Sequence, residues 1–222
     1  MSFGIGVAHS SALRFRHFTD MDGLSSNTVR CVYQDNMGYI WAGTNGGLNR
    51  FNSYHFTKFY TVKQDSTSLG NSNIYSIADE SPTSRGRVWI GAVNGIYIFD
   101  NASGHFSHLP IVIGERELSP IIFSMTPDHN GNMWIATLGE GLLRYNLETK
   151  SFTQYDRQSH PQIFERNTVA KIIIDSDRNV WVGVGGRYIC RYNAEIDDFA
   201  AFRVEDSITH QPISRISTIY ED

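Results

Sequence analysis

Hydrophobic residues fall along this chain in short bursts, each closed by an acid and a polar turn. "VRCVYQDNMGYIWAGT" opens at Val29, "IYSIADESPTSRGRVWIGA" at Ile74, "IFSMTPDHNGNMWIAT" at Ile122 and "VAKIIIDSDRNVWVGV" at Val169. A fifth copy, "ISTIYED", begins at Ile216. Each apolar run ends on Asp35, Glu80, Asp128, Asp175 or Asp222. A polar loop follows, with Gly38, Gly86 or Gly131 in the first three copies and Arg178 in the fourth. Asp bonds its own following amides and Gly accepts positive φ, so the pattern predicts strand, tight turn, strand. The second copy carries extra loop residues, "SPTSRGRVW", which a surface turn tolerates.

Past the tryptophan, Gly43, Gly91 and Gly183 recur two residues on, with Ala136 in the third copy. Small residues inside a strand mark a close backbone approach. A glycine-rich turn then leads to "LNRF", "IYIF", "LLRY" or "ICRY", and a fourth strand begins at Phe56, Phe106, Phe152 or Phe199. Trp41, Trp89, Trp134 and Trp181 are spaced by 48, 45 and 47 residues. Four antiparallel strands and one Trp per unit of this length predict an all-β fold, a β-propeller. Frequent glycines and the density of β-branched and aromatic residues disfavour helical repeats.

The expected architecture is four complete four-stranded blades plus two partial ones, a fragment of a ring of about seven. "LRFRHF", from Leu13, matches a fourth strand, and "ISTIYED" a first strand. The first strand of each blade is expected innermost. Residues 1–12, ending in Ser10-Ser11-Ala12, read as a signal-peptide remnant or a disordered N-terminus, and residues 13–222 as a partial propeller domain. Open blade faces predict self-association or marginal stability of this stretch alone.

Composition narrows the function. The 222 residues are 41% hydrophobic and 13% aromatic, enough for a sizeable core. A net charge of -4 without a basic block argues against a nucleic-acid partner. No apolar run reaches the ~18 residues of a membrane span. Cys31 and Cys190 sit three blades apart and are expected to be buried free thiols. "DHNGN" and "DSDRN" imitate a calcium loop, but Gly139 and Gly186 stand where its Glu belongs. His105 and His108 point to opposite faces of a strand. Glu115 and Glu117 read as surface charge. No catalytic residue, metal site or cofactor is expected: there is no G-x-S-x-G, and no helix follows Gly46-Gly47 or Gly185-Gly186.

The stretch "FRHFTDMDGLSSNTVRCVYQDNMGYIWAGTNGGLNRFN" resembles the periplasmic sensor of hybrid two-component system proteins, with their two-component-regulator propeller repeats. The likeness runs from Leu13 to Asp222, with Ala136, Arg178 and the insertion after Glu80 as departures. It implies a periplasmic location as part of an inner-membrane protein with kinase, receiver and DNA-binding regions elsewhere. It also implies recognition of oligosaccharides released from polysaccharides, control of glycan-utilisation genes, and as partners the remaining blades and domains and a homodimer.

Three functional readings follow: a non-catalytic glycan sensor, a propeller-fold polysaccharide lyase or hydrolase, and a scaffold that binds protein loops. The long, dissimilar connections "YTVKQDSTSLGNSN", "PIVIGERELSP" and "YDRQSHPQIFERN" share one face with the "TNGG"-type turns. Recognition usually resides on such loops. Planar polar groups there make Asn45, Asn73, Asn94, His160, Arg166 and Arg187 the candidate ligand residues, Arg187 foremost.

Overall fold

The computed structural model describes residues 15–206, 211 and 216–221, so the expectations for residues 1–12 and for Asp222 lie outside it. Four four-stranded antiparallel sheets follow one another. The first holds β1 (Val29–Gln34), β2 (Ile40–Thr44), β3 (Leu48–Phe51) and β4 (Phe56–Phe59). The second holds β5 (Ile74–Asp79), β6 (Arg87–Ala92), β7 (Gly95–Asp100) and β8 (Phe106–Leu109). After a small hairpin, β9 (Ile111–Ile113) and β10 (Arg116–Leu118), come β11 (Ile121–Pro127), β12 (Asn132–Leu138), β13 (Leu142–Asn146) and β14 (Ser151–Tyr155). The last sheet holds β15 (Val169–Ile174), β16 (Val180–Val184), β17 (Tyr188–Asn193) and β18 (Asp198–Arg203). Strand order within every sheet is sequential, and β5 packs against β1 and β11, as β11 does against β15. First strands are therefore innermost, and the fold is a β-propeller with one 3-10 turn, Asp20–Asp22, among the described residues.

Blades pack through the small residue after the tryptophan. A Cβ on Gly43 would lie 2.6 Å from Cys31 Sγ and 2.7 Å from Ile74 Cγ2. On Gly91 it would lie 2.3 Å from Ser76 Oγ and 2.7 Å from Ile122 Cγ2. The first isoleucine of each following blade thus seats on the bare backbone of the one before. Trp41, Trp89 and Trp134 are fully buried. Trp41 stacks on Phe59 and meets Phe99 of the next blade edge-on, and Trp134 repeats this with Tyr155 and Tyr192.

Each turn acid has two tasks. Asp35 Oδ1 accepts from the amides of Met37 (3.0 Å) and Tyr39 (2.9 Å), while Oδ2 accepts from Trp41 Nε1 at 2.7 Å. Asp128 does the same for Asn130, Asn132 and Trp134, and Asp175 for Asn179 and Trp181. These stretches are hairpin turns with their carboxylates already engaged. Arg178 stands in for glycine at φ 67°, where a side chain is strained. In the second blade Glu80 pairs with Arg87 instead (3.3 Å), and Trp89 Nε1 is buried without a partner.

Three expectations need correction. The connection "PIVIGERELSP" is not a plain loop: it contains the β9–β10 hairpin, turned by Gly114 at φ 60°. Residues 15–19 and 216–221 carry no strand, because the middle strands that would pair with them are not among the described residues. They still occupy blade positions. Phe18 packs on Phe51 and Phe56, Ile216 lies over Gly183, and Glu221 accepts from the Ser176 amide as Asp79 does from Asn36. Both thiols are free, but only Cys190 is buried, whereas Cys31 is half-buried.

Candidate functional site

Every first strand is irregular at its second residue. Val29 pairs with Thr44 and Cys31 with Gly43, which leaves Arg30 outside the ladder. The same break releases Tyr75 between Ile74 and Ser76, Phe123 between Ile122 and Ser124, and Ala170 between Val169 and Lys171. A β-bulge re-aims the extra side chain. Here it turns one residue per blade into a cavity of about 690 Å³ beside the innermost strands. Arg30, Tyr75, Phe123, Ala170 and, in the fifth copy, Ser217 line it.

The first three form a ladder. The Arg30 guanidinium lies 4.4 Å from the Tyr75 ring centre, and the Tyr75 and Phe123 rings are 5.7 Å apart at 60°. The remaining wall comes from the connection face: Leu138, Arg166, Thr168 and Gly185-Gly186. The glycine pair has φ 58° and 78°, so this part of the rim carries no side chain. The site therefore offers two aromatic faces, a stacked guanidinium and a second guanidinium.

Of the six residues expected from sequence, Arg166 lines this cavity. Arg187 lies in a crevice with Ile163 and Tyr188 and pairs with Glu165 at 3.7 Å. His160 packs against Phe164 and Phe199, with Asp198 3.3 Å from its Nε2. Asn45 accepts from Ser26 Oγ at 2.6 Å in an exposed turn. Asn94 donates to the Tyr97 hydroxyl beside a separate cavity of about 340 Å³. Asn73 sits just before β5, with a buried Oδ1 that has no partner. The arrangement does not gather the six into one place. Sequence reasoning missed Arg30, Tyr75 and Phe123, although their position is one of those in the apolar run that differ in every copy.

The family model of the two-component regulator propeller matches residues 23–46 and 117–139. These spans enclose β1–β2 and β11–β12, the bulge, the acid turn and the tryptophan of two blades. Two stretches of the chain, one in the first four-stranded sheet and one in the third, match that repeat. A histidine kinase, P4, of Formosa agariphila is 40% identical over 62 residues, which is 28% of this chain and 4% of that protein. Two solved structures are extracellular domains of putative hybrid two component systems from Bacteroides thetaiotaomicron. One is 22% identical with a TM-score of 0.66, covering 86% of this chain and 23% of its own. The other is 21% identical with a TM-score of 0.52, covering 86% and 32%. The chain thus spans a small part of the proteins it matches, and the likeness to the solved structures is one of fold.

Among the described residues, no helix is long and apolar enough to cross a membrane.

Proposed function

We propose that this regulator propeller is part of the periplasmic sensor of an inner-membrane two-component signalling protein, and that its bulge-lined cavity takes an oligosaccharide derived from a polysaccharide. Glycan-utilisation genes are then the output, through kinase and DNA-binding regions of the whole protein. The observation that carries this is the Arg30–Tyr75–Phe123 ladder. Pyranose rings present flat C–H faces that pack on aromatic rings, and hydroxyls that accept from a guanidinium fork. One pre-formed concave site with a few convergent polar groups is the usual form of a small-ligand site.

The hydrolase alternative is less well supported by the same cavity. Glycoside hydrolysis uses two carboxyl groups across the scissile bond, and none is among the lining residues. A lyase is separated by a turnover assay on the same oligosaccharides.

Titration calorimetry of the full chain with a glycan panel, repeated with Tyr75→Ala and Phe123→Ala, tests the reading. Loss of about tenfold or more in affinity in both variants is expected, since stacked aromatic contacts contribute on this scale. Unchanged affinity in folded variants, or a ligand mapped to the acid-turn face, overturns it.

A further inference from the structure

The charges around the cavity are one-sided. Arg30 and Arg166 line it, and among the described residues no Asp or Glu does. Neither guanidinium has an ion-pair partner among the described residues, whereas Arg144 and Arg187 are held by Asp197 and Glu165. Other cavities differ. The one of about 620 Å³ on the acid-turn face sets Asp128 and Glu195 beside its arginines. The one beside Asn94 contains Asp65 and no Arg or Lys. The chain as a whole is acidic at -4, so this local excess of positive charge does not merely reflect composition.

We infer that the cavity selects anionic oligosaccharides, with Arg30 and Arg166 receiving the carboxylate of a uronate or the sulfate of a sulfated sugar, while Tyr75 and Phe123 carry its ring. This rests on the oligosaccharide reading above and narrows it to a class. The Arg30 guanidinium lies over the Tyr75 ring and has no ion-pair partner among the described residues, so its N–H donors can meet a planar, bidentate acceptor. A neutral sugar would leave both guanidiniums without a countercharge from the described lining residues.

The test uses paired probes on the full chain: tetragalacturonate against its carboxyl-reduced form, and a sulfated galactan (carrageenan) tetrasaccharide against its desulfated form. Calorimetry is repeated with Arg30→Gln, Arg166→Gln and Phe123→Ala. The anionic member of at least one pair is expected to bind about tenfold or more tightly than its partner. That preference shrinks in either glutamine variant and falls with rising salt. The first pair reports a carboxylate, the second a sulfate. Equal binding within the pairs, or binding of neutral members alone, overturns the inference while Phe123→Ala still tests the broader reading. Failure of every probe, neutral and anionic, overturns both.

Discussion

Ala136 and Val169 share the buried seam between the third and fourth blades, in the places that Gly43 and Ile74, then Gly91 and Ile122, take at the two earlier junctions. An added methyl group on one side is matched by a lost methylene on the other. Val169→Ile is therefore expected to overpack the seam by about 1–3 kcal/mol, and Ala136→Gly in the same molecule to recover part of that loss. Urea denaturation of the two single variants and the double variant measures the coupling. Strict additivity would show that the two residues do not compensate one another.

The indole partners differ between blades, so the same substitution has unequal effects. Trp41→Phe removes ring volume and the 2.7 Å bond to Asp35, leaving that carboxylate oxygen unpaired. Trp89→Phe removes ring volume only, because its Nε1 has no partner. The first is expected to be more destabilising by about 1–3 kcal/mol, the range for a hydrogen bond to a charged group. Equal shifts in the denaturation midpoint would rule this out.

Acid should weaken the fold through identifiable carboxylates. Burial presses the Asp197 carboxyl upward, but hydrogen bonds from the Tyr155 hydroxyl (2.6 Å) and the Tyr192 hydroxyl (2.5 Å), with Arg144 beside it, hold it below the usual carboxylate value. Asp175 is likewise lowered: Trp181 and Asn179 outweigh its burial. A group lowered in the fold binds fewer protons there than in the unfolded chain. Its stabilisation is complete above the unfolded value near 3.8 and is lost as pH falls through the folded one. Asp79 runs the other way. Burial raises it, despite the Asn36 amide, so its protonation favours the fold and stability falls as pH rises through that window. Midpoints measured from about pH 2.5 to 6 should give a shallower acid limb for Asp197→Asn and a steeper one for Asp79→Asn. The same slope in both would refute the assignment.

The thiols offer a readout of opening. Burial pushes Cys31 up to about 11 and Cys190 up to about 12, so little thiolate exists at neutral pH. Alkylation of the native chain at pH 8 should be many times slower than in denaturant, and slower at Cys190 than at Cys31. Rapid labelling of Cys190 in the native chain would contradict its burial.

The blades were legible because their punctuation is local. Four tryptophans, four turn acids and the small residues behind them place β1 through β18 close to their observed bounds, apart from the β9–β10 hairpin. Its Gly114-Glu115 turn between "IVI" and "REL" was a readable signal overlooked beside the longer period. The cavity was harder to read. A bulge is a property of register between two strands, and within "VRCVY" nothing marks Arg30 as unpaired. The inter-blade clasps, Asp79 to Asn36 and Glu221 to Ser176, span 43 and 45 residues and appear only once the blades are stacked. Asn45, Asn73 and Asn94 were chosen as hydrogen-bonding amides, yet Asn45 and Asn94 are engaged in local turn contacts.

The bulge also separates two kinds of inheritance. Residues in the ladder answer to their partners across the strand and to the neighbouring blade, so changing one disturbs the frame. The residue squeezed out of the ladder is released from its cross-strand partner and meets its counterpart in the next blade instead. Arg30, Tyr75, Phe123, Ala170 and Ser217 form a word of five letters, one from each copy. Each letter can be rewritten while the alphabet of tryptophan, acid and glycine that builds the ring stays fixed. In a propeller so constructed, single substitutions at the bulged positions change the lining of the cavity with no need to refashion a loop.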